Sequence, residues 1–271
     1  MKTAYQMYID GEWVDSSSKE TFATENPFNG EEWATIPRAD EQDAEKAASA
    51  ARSAFENEWC SVNGKERAEL MNKLADLIDR NADHLSMIET TDNGKVIRET
   101  KIQMHFTARI FRFFAGYADK LYGRTIPLDN ASMFDYTLRE PLGSVLIITP
   151  WNSPILLMAY KLSAALAAGN TAVVKPSRHT SASTLEFAKL VEEAGFPKGV
   201  FNVVTGDKIG DYLTGSPKIN KISFTGSTDT AQYILQNANK NITRVTLELG
   251  GKSANIIFAD ANLERAIVGA F

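Results

Sequence analysis

Residues 143–149 read GSVLIIT, a glycine and then an apolar run that ends at Thr149 and continues as Pro150-Trp151-Asn152. A strand with one wet face alternates apolar and polar side chains, so an unbroken run of this kind predicts a strand covered on both faces. The pattern recurs as TAVVK (171–175), VFNVVT (200–205), KISFT (221–225) and TRVTLEL (243–249). Between these runs the sequence reads as helix over 155–168, 180–195 and 228–240, with a short helix before KISFT. Strand and helix therefore alternate, which predicts an α/β fold with a doubly wound, mainly parallel sheet. Ligands of such sheets sit beyond the carboxyl ends of the strands, so the polar residues just past each run become the candidates for function.

The first half of the chain has a different rhythm. Residues 1–38 mix aromatic and β-branched residues with turn signals such as DG and NPFNG, predicting short strands and hairpins. Three stretches, 40–59, 64–82 and 99–123, read as amphipathic N-terminal helices. Residues 124–143, RTIPLDNASMFDYTLREPLG, predict two strands around the DNAS turn, and 121–140 form a projecting β arm. No repeat or linker separates independent domains.

The composition narrows the partners. With 271 residues, 44% of them hydrophobic, the chain can bury a substantial core, and its formal charge of -5 argues against general attraction to nucleic acid or to a membrane surface. The expected partner is a small molecule. No apolar stretch approaches the length of a membrane span, and the first residues lack a signal-peptide pattern, so a cytoplasmic location is expected. Cys60 is the single cysteine, and His84, His105 and His179 are scattered, so no bound metal is expected.

Four strand ends carry the candidate chemistry. Asn152 lies between a strand and a helix beginning near Pro154; it reads either as a helix cap or as a fixed donor to a developing oxyanion. Lys175 ends a buried run and is stopped by Pro176, leaving an ammonium that is either solvated or within reach of a ribose or phosphate. Gly226 permits close backbone approach, and Ser227 and Thr228 open a helix whose N-terminus favours an anion, although ordinary capping is a rival. Glu248 precedes Gly250-Gly251-Lys252-Ser253, which resembles the tail of a phosphate-binding loop. That loop requires a glycine at 246, where Thr246 stands, so Glu248 is left as a carboxylate at a strand end. It is either paired with a lysine such as Lys252 or a general base whose pKa is raised by partial burial. Neither a G-x-G-x-x-G nor a G-x-S-x-G pattern occurs.

Taken in order, TPWNSP, KPS, FTGST and LELGGKS, each at a strand end, resemble the aldehyde dehydrogenase superfamily. The likeness extends to YIDGEWV, NPFNG, the pair Trp59 and Arg67, and REPLG at 139–143. It implies a Rossmann-like cofactor domain and NAD(P)+-dependent oxidation of an aldehyde to a carboxylic acid. In that family a cysteine thiolate attacks the aldehyde, hydride passes to the nicotinamide, and the resulting thioester is hydrolysed. The resemblance makes Asn152 the oxyanion donor and Glu248 the general base. It assigns cofactor contacts to Thr149, Pro150, Trp151, Lys175, Ser177, Arg178, Gly206, Thr225, Gly226, Ser227, Leu249 and Gly250. Ser153, Leu157 and Tyr160 would line the substrate path, and a homo-oligomer is implied for the complete enzyme.

Three departures qualify the likeness. Arg178 stands where the family usually has an acid that bonds the ribose, and a guanidinium could instead accept a 2′-phosphate, so NAD and NADP both remain open. Ala231 replaces a glycine in the helix after FTGST, with no loss of binding expected. The family nucleophile lies some thirty-odd residues beyond the glutamate, whereas this chain stops at Phe271 and contains no cysteine there. The expectation is a cofactor-binding domain over 1–251 and the first strand and helix of a truncated catalytic domain over 252–271. Two functional readings follow: the N-terminal part of an aldehyde dehydrogenase, inactive by itself, or a dinucleotide-binding module without turnover.

Overall fold

A computed structural model describes residues 3–270. The N-terminal strands are β1 (Thr3–Ala4), β2 (Met7–Ile9), β3 (Glu12–Val14), β4 (Thr21–Asn26) and β5 (Glu31–Pro37). Helices α1 (Glu41–Glu56), α2 (Gly64–Arg80), α3 (Ala82–Asn93) and α4 (Ile97–Ala115) follow, then the arm strands β6 (Thr125–Ile126) and β7 (Asp135–Tyr136). The alternating half comprises β8 (Ser144–Ile148), α5 (Pro154–Ala167), β9 (Thr171–Lys175), α6 (Ser181–Ala194), β10 (Phe201–Val203), α7 (Gly210–Thr214), β11 (Lys221–Gly226), α8 (Thr228–Ala238) and β12 (Arg244–Leu249). The last described helix is α9 (Leu263–Ala270).

The main sheet runs β12-β11-β8-β9-β10-β2-β3. Its first five strands pair in parallel, and the β2–β3 hairpin adds two antiparallel strands at one edge. The unbroken apolar runs have the predicted cause. Val145 and Ile147 pack with α2, α4, α5 and α6 on one face, while Leu146 enters a second core with α1, α7 and α8 on the other. The fold is thus α/β and doubly wound. A smaller sheet of order β1-β5-β4 lies beside it.

Local chemistry sets several boundaries. Asp40 and Asp43 form a reciprocal capping box at the start of α1, and Asn63 and Glu66 form one at α2. The pair Trp59 and Arg67 binds the helices to the sheet. The indole of Trp59, fully buried, donates to the Asn170 carbonyl at 3.1 Å, and the Arg67 guanidinium donates to the carbonyls of Val62, Ala167 and Ala118. Asn170 in turn accepts from the backbone N–H groups of Leu142 and Gly143 with its side-chain oxygen, fixing the entrance to β8.

Three expectations need correction. Helix α3 is absent from the sequence reading because its buried stripe contains Ser86, Glu89 and Asp92, polar residues that erase the apolar period. The helix expected to continue to 123 stops at Ala115, where Gly116 and irregular turns follow. Residues 254–258 form no strand: among the described residues nothing pairs with them, and an isolated apolar run has no ladder to join. Phe271 lies outside the described residues. The arm does form a two-stranded sheet, with Thr125 opposite Tyr136 and Ile126 opposite Asp135, around a turn in which the Asn130 side chain accepts from the Ser132 N–H.

Candidate active site

The carboxyl ends of the strands open on one cleft of about 1460 Å³. It lies where chain order reverses: β9 and β10 extend from β8 in one direction, β11 and β12 in the other. Thr149, Pro150, Trp151 and Asn152 line it from the end of β8, and Lys175, Ser177 and Arg178 from the end of β9. Gly206 follows β10, Thr225, Gly226 and Ser227 follow β11, and Glu248, Leu249 and Gly250 end β12. From α5, Leu157 and Tyr160 reach the same space. Ser153 does not. It is buried, and its hydroxyl accepts from the Lys95 ammonium at 2.8 Å, so it braces the loop from behind the cleft.

The loop that carries Asn152 is held by its backbone. The Asn93 side-chain amide donates to the carbonyls of Trp151 and Asn152 at 3.4 and 3.3 Å. Ser153, not Asn152, occupies the cap position of α5, and it makes no side-chain cap; Pro154 takes the first turn. The helix end is satisfied from elsewhere, because the Glu89 carboxylate accepts from the Ile155 N–H at 3.3 Å. The Asn152 amide is therefore free of capping and exposed to the cleft.

Glu89 has a measurable electrostatic signature. Burial pushes its carboxyl up to about 7 against the opposing effects of the Ile155 N–H and Lys95. Asp92, one turn further along α3, is pushed up to about 7 by burial as well, although it accepts from Ser183 and Thr24. A carboxyl whose folded pKa exceeds its unfolded value costs stability when ionised. The cost is absent below about 4.5, grows between about 4.5 and about 7, and is complete above that. Glu89→Gln cannot ionise. Its stability relative to the wild type is expected to improve by roughly 2 to 3 kcal/mol between pH 5 and pH 8. Urea unfolding of both proteins at the two pH values measures this, and a pH-independent difference would refute it.

At the β9 end, the Lys175 carbonyl accepts from the Thr149 N–H at 3.3 Å, and its ammonium makes no hydrogen bond among the described residues. Burial lowers its pKa, partly offset by the charge of Asp207. Asp207 follows Gly206, whose φ of +121° belongs to glycine; a Cβ there would also lie 3.3 Å from the Ala39 nitrogen. Both Asp207 oxygens are engaged: Arg38 donates to Oδ1 in a short ion pair, and Arg178 reaches Oδ2 at 3.4 Å. At the β11 end, a Cβ on Gly226 would meet the Phe224 ring at 2.4 Å. Ser227 caps α8 by accepting from the Thr230 N–H, and both residues line the cleft, so the start of α8 borders it.

Glu248 departs from expectation. It is exposed, on the edge strand β12 opposite Thr225, and no ion pair joins it to Lys252. Within the described residues β12 has a neighbour on one side only, and the carboxylate is exposed where partial burial was expected. Its field acts on Lys161, whose pKa burial lowers and Glu248 raises. Lys161, which donates to the Ser223 hydroxyl at 3.2 Å, is a cleft residue that sequence reading missed, as are His179 and Asp207. Lys161 was accessible through helical spacing, four residues after Leu157. Nothing in the sequence pointed to Asp207. Among the described residues no group of three or more His, Cys, Asp or Glu is arranged to hold a metal ion, and no helix is long and apolar enough to cross a membrane.

The strand-end cleft of this doubly wound sheet brings together a lysine ammonium without a hydrogen bond among the described residues, the start of a helix, an amide and a carboxylate. The aldehyde dehydrogenase family model matches residues 13–271, and the chain belongs to that family. An aldehyde dehydrogenase of Enchytraeus buchholzi is 47% identical over 268 residues, covering 97% of this chain and 54% of its own length. The betaine aldehyde dehydrogenase of Bacillus subtilis (strain 168) is 43% identical, covering 96% and 54%. The NAD+ complex of an aldehyde dehydrogenase from Bacillus cereus resembles this structure with a TM-score of 0.95 at 43% identity, covering 99% of this chain and 55% of that one. The chain spans about half the length of the relatives it matches.

Proposed function

We propose that these residues hold NAD(P)+ and supply two reacting-centre side chains for the oxidation of an aldehyde to a carboxylic acid. The observation that supports this most is the convergence of Asn152, Glu248 and Lys175, from three different strand ends, on one cleft. A protein that only held a dinucleotide would have no use for the first two.

The residues fit such a cofactor. The unbonded Lys175 ammonium suits ribose or phosphate oxygens, and the start of α8 after Gly226 would offer N–H groups to a pyrophosphate. Thr149, Pro150, Trp151, Ser177, Thr225, Leu249 and Gly250 would complete the cradle. The bound cofactor supplies a hydride acceptor. Asn152 donates its amide N–H to the oxygen of the attacked carbonyl, and Glu248 takes a proton from the water that releases the acid. Leu157 and Tyr160 would line the substrate path.

The nucleophile is not among these 271 residues. Cys60 is exposed and lines a separate depression with Asn63 and Arg139, so the chain alone is expected to bind dinucleotide without oxidising aldehydes. We assign 1–251 to the cofactor-binding domain. Residues 252–270 pair with no strand and lie largely exposed, which favours a second, catalytic domain. The arm at 121–140, with Tyr122, Phe134 and Leu138 well exposed, supports assembly into a homo-oligomer, and a single cysteine suits the cytoplasm.

The test is calorimetric titration of the chain with NAD+ and NADP+, together with absorbance at 340 nm in the presence of aldehydes. Saturable binding without NAD(P)H formation is expected. Turnover would overturn the statement that the nucleophile is absent, and no binding of either cofactor would overturn the nucleotide reading.

A further inference from the structure

The loop between β8 and α5 has few bonds of its own to hold its shape. Pro150 and Pro154 bracket it and contribute no N–H. The Thr149 N–H reaches back to the Lys175 carbonyl, and the Leu157 N–H starts the helix by bonding to the Ser153 carbonyl. Between them, among the described residues, the Asn93 side chain is the only group hydrogen-bonded to Trp151 or Asn152. Both residues are exposed, so little packing replaces the missing bonds.

Asn93 ends α3, and its surroundings settle which way its amide points. Oδ1 accepts from the Lys95 N–H at 2.9 Å, which leaves Nδ2 to face the loop, 3.4 Å from the Trp151 carbonyl and 3.3 Å from that of Asn152. Gly94 makes the reversal of the chain possible: its φ is +75°, and a Cβ there would lie 3.1 Å from the Pro27 ring. Lys95 is thereby turned back to donate to the Ser153 hydroxyl, while Glu89, one turn earlier, accepts from the Ile155 N–H. Helix α3 is itself fixed, because Asp92 accepts from the Ser183 N–H of α6 and the Thr24 hydroxyl of β4. One helix end therefore meets residues 151, 152, 153 and 155. The two Asn93 contacts are long and individually weak. No competing bond opposes them, so they decide which conformation of the loop is populated.

We propose that Asn93 is the positioning residue for the Asn152 amide: by holding two consecutive carbonyls of the loop, it aims that amide at the oxygen of the attacked carbonyl. This rests on the reading of Asn152 as the oxyanion donor. Such a donor acts only when it is held in place beforehand, and a displacement of about 1 Å can cost about a hundredfold in rate. Asn93 does not line the cleft and acts through the loop alone.

The test begins with the 271-residue chain labelled with fluorotryptophan and followed by fluorine NMR. The chain has four tryptophans, and Trp151→Phe assigns the resonance of the one in the loop. Asn93→Asp keeps the acceptor for the Lys95 N–H, and with it the turn, but sets an oxygen against two carbonyl oxygens; Asn93→Ala removes the donors without adding charge. Both are expected to shift or broaden the Trp151 resonance while those of Trp13 and Trp59 hold their positions. A Trp151 resonance that stays in place, one that moves in Asn93→Asp alone, or displacement of all four together overturns the proposal. In a polypeptide that joins these residues to a reactive cysteine, Asn93→Asp is expected to lower kcat about 10- to 100-fold with a smaller change in the KM for aldehyde, and Asn152→Ala about 100- to 1000-fold. Adding Asn93→Asp to Asn152→Ala should cost little more, because the two act through one amide. Additive losses, or a slow Asn152→Ala beside an unimpaired Asn93→Asp, overturn the proposal and leave the oxyanion reading standing. Unchanged turnover in Asn152→Ala overturns both.

Discussion

Glu248→Gln is expected to slow thioester hydrolysis by about two to four orders of magnitude, the range for loss of a general base, in a polypeptide that joins these residues to a reactive cysteine. The amide has nearly the shape of the carboxylate, and β12 leaves the side chain exposed, so the substitution should disturb no packing. What it removes is a proton acceptor at the edge of the cleft shared with Asn152. Cysteine acylation and the accompanying hydride transfer need no proton acceptor at that position. Rapid-mixing measurements should therefore show a preserved burst of NAD(P)H followed by a slowed steady state. An unchanged steady state removes Glu248 from this role.

Trp59→Ala should be the most damaging single change to stability outside the cleft. The side chain is fully buried, its ring centroid lies 6.0 Å from that of Phe196, and its N–H satisfies the Asn170 carbonyl. Removing it leaves a large cavity and an unpaired buried acceptor, at a combined cost of about 3 to 5 kcal/mol. For a chain of this size that corresponds to a fall in melting temperature of roughly 10 °C. The damage should also travel, since Asn170 holds the backbone of Leu142 and Gly143 at the entrance to β8, whose other end carries Thr149 to Asn152. Thermal unfolding followed by circular dichroism measures the first effect. A melting temperature within a degree or two of the wild type would contradict it.

Much of the fold is legible because burial on both faces leaves a plain record. Each central strand of the parallel sheet is a short apolar run, and the polar residue after it has no reason to be there except position. Helix α3 shows the opposite case. Its inward face carries Glu89 and Asp92, which accept hydrogen bonds at the starts of α5 and α6, so the residues most important to its packing look like surface residues. Residues 254–258 fail for a third reason: they have strand-like composition, but a strand is a property of a pair.

The cleft divides in the same way. Asn152, Lys175, Gly226 and Glu248 are each adjacent to a strand end, and their positions follow from the sheet alone. Whether each is buried, bonded or free depends on partners distant in sequence. Asn152 is free because Glu89 serves the helix end in its place, and Glu248 is exposed because β12 lies at an edge. Arg38 shows the limit most clearly, as it meets Asp207 across 169 positions of chain. Local periodicity and turn chemistry fix which residues face inward and where strands end, so the sequence by itself determined the α/β architecture and the strand-end candidates. Long-range pairing, desolvation and the neutralisation of one charge by another exist only once the chain is folded, and these alone decided the electrostatics of the cleft.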